Sequence, residues 1–108
     1  MPDSIAPDVR RDDEGYLIDP ADWTEDVARA LAQAEGITLG EEHWEVIAFM
    51  RDFLRRKTLT PDARHVIRHL KETRAAPRNR LFELFPYGYV QQACKIAGMR
   101  RPRAWSTG

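Results

Sequence analysis

Apolar positions recur at helical spacing along most of the chain. Trp23, Val27 and Leu31 stand at i, i+4 and i+8, one stripe of a helix that starts near Pro20 and ends at Gly36. Asp19 is its expected N-cap, with Pro20 at the first helical position, where a missing N–H costs nothing. A second helix opens at Thr38-Leu39-Gly40-Glu41, a capping-box pattern. Trp44, Ile47, Ala48 and Arg51 mark one of its faces, and Val46, Met50, Phe53 and Leu54 another. A helix apolar over so wide an arc is expected at the centre of the fold. Arg55-Arg56-Lys57 closes it and suits the negative end of the helix dipole. Thr60-Pro61 starts a third helix, with Ala63, Val66, Ile67 and Leu70 in period. Ala75-Ala76-Pro77 breaks the chain, Asn79 is expected to cap a short helix from Arg80 to Phe85, and Pro86-Tyr87-Gly88 makes a turn. A last helix runs from Tyr89 to Ala97, with Val90, Ala93, Cys94 and Ala97 on one side and Gly98 as its C′ residue. Trp23, Val27, Leu31, Trp44, Ile47, Ala63, Ile67 and Leu70 are predicted to be mostly buried.

Ahead of the helices, Val9–Ile18 reads as a β-hairpin. Asp12-Asp13-Glu14-Gly15 is the turn, where Gly15 takes positive φ without steric cost, and Tyr16-Leu17-Ile18 is the return strand. A lone hairpin is marginal in water, so it should lie on a helix. Residues 1–8 read as a loose tail and residues 99–108 as a basic arm, since Gly98 stops the helix and Pro102 opposes a restart. The helices over 60–72 and 79–85 flank a turn in a loosely helix-turn-helix-like way. Their connection, 73–78, is longer than the usual turn of about three or four residues. The expected fold class is therefore mainly α. It is one small helical domain over 1–108, with an N-terminal β-hairpin, a helix-turn-helix-like element and a mobile C-terminal arm.

With 108 residues, 43% hydrophobic and 31% charged, the chain can bury a core. No apolar run reaches about 18 residues, so no membrane helix is expected, and the acidic, polar start does not read as a secretory signal. A cytoplasmic location follows. Cys94 is the only cysteine, which excludes an intramolecular disulfide and a cysteine-based metal cluster. The net charge of zero conceals a division. Residues 1–45 hold 13 Asp/Glu against three Lys/Arg, and residues 46–108 hold four against 14. Either the protein carries one basic face, or the halves neutralise each other across the fold.

His65 and His69 lie one turn apart on the third helix, with Asp62 and Glu72 near them. No helical His-Glu-x-x-His pattern is present, and no metal or other cofactor is expected. Nor is there a phosphate-binding glycine loop, and no independent catalytic site stands out. Arg64, Arg68, Lys71 and Arg74 form a nucleic-acid-binding alternative, continued by Arg78 and Arg80. Charge alone supplies only sequence-independent affinity for phosphate. Cys94 is the sole thiol nucleophile. Its helix face argues for a buried, inert thiol, whereas Lys95 and the arginines of the arm argue for a stabilised thiolate.

Three separated blocks resemble the DsrC/TusE family of sulfur-relay proteins. They are Asp13–Trp23 (DEGYLIDPADW), Thr60–Arg64 (TPDAR) and Leu81–Pro102 (LFELFPYGYVQQACKIAGMRRP). The last resembles the family's LFP-x-G and ACKIAG ending. The resemblance spans about residues 9–102 and implies the same hairpin, helical body and mobile arm. It also implies sulfur carried as a persulfide or trisulfide on cysteine. TusE-like members take sulfur from a TusBCD-like complex toward thiolation of the tRNA wobble uridine. DsrC-like members present it to dissimilatory sulfite reductase. No membrane partner is implied. Cys94 matches the inner family cysteine. The outer one, eleven residues on, would fall on Trp105, and the penultimate residue here is Thr107. Arg64, Tyr87, Gly88, Arg100, Arg101 and Trp105 are the expected partner-binding residues, the arginines steering the arm and Trp105 anchoring it. Two functions follow as expectations. One is a sulfur-relay protein that docks on sulfur-transfer partners with Cys94 as its sole possible carrier. The other is a regulatory paralogue that binds DNA or such a partner without sulfur chemistry.

Overall fold

A computed structural model describes residues 9–100. A single 3-10 turn, Pro20–Asp22, leads into α1 (Glu25–Ala34), α2 (Glu41–Lys57), α3 (Ala63–Arg74) and α4 (Arg80–Leu84), and a π-helical segment follows at Tyr89–Cys94. The third helix packs against both α2 and α4.

The chain reverses where the hairpin was expected, but among the described residues the pairing is one antiparallel bridge, Arg11 to Leu17. The Asp12 N–H donates to the Tyr16 carbonyl at 2.8 Å and the Ile18 N–H to the Arg10 carbonyl at 3.1 Å. The Asp12 carboxylate accepts from the Glu14 and Tyr16 N–H groups. Tyr16 and Leu17, consecutive in sequence, are both buried. A strand alternates its side chains between two faces, so two neighbours both driven inward break the ladder after one bridge.

The first helix starts later than its periodicity suggests. Asp19 does accept the Ala21 N–H at 2.9 Å, but it caps only the 3-10 turn. Thr24 then accepts the Val27 N–H at 3.1 Å and opens α1, with Glu25 and Asp26 complementing the dipole in the first turn. Trp23 is thus left in the link between them, and α1 buries Val27, Ala28, Leu31 and Ala32.

The second helix is capped at Gly40 rather than Thr38, and the Gly40 N–H donates to His43 Nδ1 at 3.0 Å. It buries Val46, Ile47 and Met50, leaves Phe53 and Leu54 half-buried and exposes Ala48. Its last turn carries Arg55, Arg56 and Lys57, as expected. The cap of α3 is Asp62, two residues beyond the expected Thr60. Pro61 is thereby freed from the helix, and its carbonyl is used elsewhere. Asn79 makes no side-chain cap bond to α4.

Of the residues predicted to be buried, Val27, Leu31, Ile47, Ala63 and Leu70 are so, while Trp23, Trp44 and Ile67 are half-buried. Burying each large side chain of this kind contributes about 1.5–3 kcal/mol. The remaining core comes largely from the chain after α3, where Leu81, Phe85, Tyr89, Ile96 and Met99 are shut off from water. The loose tail and most of the arm, including Arg101, Trp105 and Thr107, lie outside the described residues.

Candidate functional site

The last helix was expected to be regular, and it is not. After Pro86-Tyr87 and Gly88 (φ 108°), the chain winds as a π-helix through Cys94 before Lys95 and Ile96 resume the α form. Wide π turns leave backbone groups to be met from outside the helix. The Val90 carbonyl accepts the Tyr16 hydroxyl at 2.9 Å. Buried Gln92 accepts the Tyr87 N–H at 3.0 Å and donates to Glu35 at 3.1 Å, so it ties the exposed turn to the end of α1.

Cys94 itself has no exposed surface. Burial pushes its thiol up to about 12, and contact with the Tyr89 hydroxyl offsets this only in part. That hydroxyl donates its one proton to the Pro61 carbonyl. With that proton committed, the hydroxyl does little to stabilise a thiolate. Tyr16 stands close enough to feel the thiol's charge, and burial first, then Cys94, raises its own hydroxyl to about 12. Lys95, expected to stabilise a thiolate, turns away. Its Nζ is 3.7 Å from Glu35 and 5.3 Å from the centre of the Tyr16 ring. The surroundings thus hold Cys94 as a protonated, shielded thiol.

Immediately beyond, the helix end is fastened by residues that the sequence reading did not single out for this. The Trp23 indole N–H donates to the Ile96 carbonyl at 2.9 Å. Arg51 donates to the carbonyls of Ala97 and Pro20, each at 3.0 Å, and its guanidinium lies 4.5 Å from the centre of the Trp23 ring. Gly98 (φ +77°) presses on that same indole, and a Cβ there would come within 2.5 Å of Trp23 Cδ1. The one available signal was an arginine on an otherwise apolar face of α2.

Tyr87 is 72% exposed, the largest aromatic surface offered to solvent among the described residues. Arg100, also exposed, donates to the Ile18 carbonyl at 3.1 Å. Arg64 pairs with Asp62 at 3.1 Å. The basic stretch is divided. Arg68 and Lys71 lie exposed on α3, but Arg74 pairs with Glu45 and Arg80 with Glu42 and Glu83. With Lys95 on Glu35, the contacts to Glu42 and Glu45 bring residues of the basic half onto carboxylates of the acidic half. His65 lies against the Phe53 ring (4.8 Å) and His69 stacks on Phe49 (4.3 Å). Among the described residues no group of three His, Cys, Asp or Glu side chains is close enough to hold a metal ion. No helix of the described residues is long and apolar enough to cross a membrane.

A family model described as "DsrC like protein" matches residues 6–104. The chain belongs to the DsrC-like protein family. A sulfurtransferase TusE homolog of Haemophilus influenzae is 41% identical over 98 residues, covering 88% of this chain and 90% of that protein. Sulfurtransferase TusE of Escherichia coli is 37% identical over 98 residues, with the same shares. The crystal structure of the oxidized gamma-subunit of the dissimilatory sulfite reductase (DsrC) from Archaeoglobus fulgidus superposes with a TM-score of 0.79 at 33% identity. It covers 90% of this chain and 91% of that one. The mainly helical DsrC fold is therefore that of this chain.

Proposed function

We propose that this DsrC-like protein acts in sulfur transfer by docking on sulfur-transfer proteins, and that it carries sulfur poorly itself. The observation that carries the reading is the state of Cys94, the chain's only cysteine, buried and held as a neutral thiol. Nucleophilic attack on a sulfur donor needs a reachable thiolate. Family membership over residues 6–104 supports retention of the docking body. The partners are a TusBCD-like complex or dissimilatory sulfite reductase. Arg64, Tyr87, Gly88 and Arg100 are the contact residues on the body, and Arg101 and Trp105 those on the arm. Exposed Tyr87 suits an anchor, since its backbone is already tied to Gln92. A chain with this surface and no arm cysteine competes with a complete relative for the same partner.

DNA binding receives less support, because Arg74 and Arg64 are engaged with carboxylates. The deciding experiment is mass spectrometry after exposure to a persulfide donor, on wild type, Cys94→Ser and Trp105→Cys. An adduct of roughly +32 Da, one sulfur atom held as a persulfide, is expected to form slowly on wild type, to be absent in Cys94→Ser and to form quickly in Trp105→Cys. Wild-type loading as fast as that of Trp105→Cys overturns the docking reading and makes the chain a carrier.

A further inference from the structure

Two helices of this protein open on a histidine at the third position, and the two rings are not in the same situation. At α2 the Gly40 N–H donates to His43 Nδ1 at 3.0 Å, and His43 Nε2 lies 2.9 Å from the Leu84 carbonyl. A carbonyl only accepts, so Nε2 carries the proton and Nδ1 keeps its lone pair. The neutral ring satisfies both partners, with Phe85 edge-on at 5.3 Å and the Glu42–Arg80 pair beside it.

At α3 the Asp62 N–H donates to His65 Nδ1 at 3.2 Å. The same nitrogen lies 2.9 Å from Asp62 Oδ1. That oxygen is closed to water and has no hydrogen-bond partner of its own. One nitrogen cannot serve both. Accepting the N–H needs a lone pair, and donating to the carboxylate needs a proton. His43 has no such carboxylate held against its capping nitrogen.

We infer that His65 is a proton-operated cap on α3, which exchanges the Asp62 N–H for the Asp62 carboxylate when its ring is protonated. In the neutral ring Nδ1 closes the reciprocal half of a capping box and leaves Oδ1 unpaired. In the protonated ring Nδ1–H pairs Oδ1, and the Asp62 N–H is released. The ring is 40% exposed, so bulk protons reach it. Of the charged groups around it, the Asp62 carboxylate favours the exchange and the Arg64 guanidinium opposes it. Asp62 faces it directly, with Arg64 on the other carboxylate oxygen at 3.1 Å. From α2 the facing group is the Phe53 ring, which brings no charge and receives a cation well on its face. From the π-helical segment the group facing Asp62 is the Tyr89 hydroxyl, kept protonated by burial. Along α3, the Arg68 cation and His69 follow about one turn on and Glu72 two turns on. Burial works to raise the Asp62 carboxyl, but the Arg64 hydrogen bond, the His65 and Arg64 charges and the His65 backbone N–H together outweigh it. Asp62 is therefore an anion ready to receive the proton-bearing nitrogen. The Pro61 carbonyl, one residue earlier, holds Tyr89, so the exchange borders the Cys94 pocket.

The test is an NMR titration of the intact, nitrogen-15-labelled protein between about pH 8 and pH 5, the range in which imidazoles ordinarily change charge. At the upper end the His65 ring should show a proton on Nε2 and none on Nδ1. On acidification the Asp62 amide proton should move upfield with the midpoint of the His65 ring. His65→Gln should abolish that movement and His43→Gln should leave it in place. A still Asp62 amide while His65 titrates, or a proton already on Nδ1 at the upper end, overturns the inference. Both readings come from wild type, so the result stands if a variant fails to fold.

Discussion

Around Cys94, the carbonyls of Pro61, Val90, Ile96 and Ala97 are each met by a side chain from a distant part of the sequence: Tyr89, Tyr16, Trp23 and Arg51. Along the contacts of α2 with α3 and α4, the links are instead carboxylate–guanidinium pairs open to water, Glu45–Arg74 and Glu42–Arg80. Removing a partner in the first region strands a shielded carbonyl, which costs its full desolvation. In the second, water and salt replace the lost partner. The paired surface charges conspicuous in the sequence therefore hold little, and three ordinary-looking aromatics with Arg51 hold much.

The contrast is tested most severely at Gly98. Gly98→Val adds a side chain at positive φ against the Trp23 indole and should cost about 3 kcal/mol in a denaturant melt. A loss near zero would mean that the Trp23 contact is not fixed. Tyr89→Phe, which leaves the Pro61 carbonyl unmet, should cost about 1–3 kcal/mol and leave Cys94 no faster toward alkylating reagents.

Burial keeps the Cys94 thiol protonated up to about 12, against an ordinary value of 9.0. The folded protein then retains a proton that the unfolded chain loses. Its contribution is whole below pH 9, and stability falls as the pH rises from there toward 12. Between pH 9 and 10 the Cys94 share of the loss should be about 1 kcal/mol, and that share should be missing in Cys94→Ala. Tyr16 and Tyr89, both raised by burial from 10.0, add smaller slopes of their own that begin inside that window and remain in Cys94→Ala. Smallest of all, Arg74→Met should lower the melting temperature less than Tyr89→Phe does, and its own effect should shrink in high salt. An Arg74→Met loss as large as that of Tyr89→Phe, and indifferent to salt, would erase the distinction between the two regions.

Much of this was legible in the sequence. Apolar spacing located α1, α2 and α3, because each buries one face, the chain breaks on either side located α4, and the spacing set Cys94 on the inward side of the last turn. What escaped it were places where a distant partner decides. Asp19 and Thr24 are both good caps, and only the packed position of Trp23 separates the 3-10 turn from α1. Gln92 reads as a surface residue at regular helical spacing, yet it is buried, because the π turn shifts which positions face inward. Lys95 adjoins Cys94 in sequence, but Glu35 and the Tyr16 ring claim its ammonium.

The π turn also has a bearing on length changes. A π-helix advances by a smaller angle per residue than an α-helix, so Tyr89–Cys94 accommodates one more residue than a regular helix in the same place. It acts as a phase shifter for everything downstream. Deleting exposed Gln91 alone would restore a regular helix and leave Ile96, Ala97 and Gly98 facing as they do, but winding all six residues in α form would swing them by roughly a quarter turn about the axis. The two carbonyls would then miss Trp23 and Arg51, and the backbone leaving Gly98 would set off in another direction. In this protein the insertion state of one helical turn sets the heading of the segment that follows it.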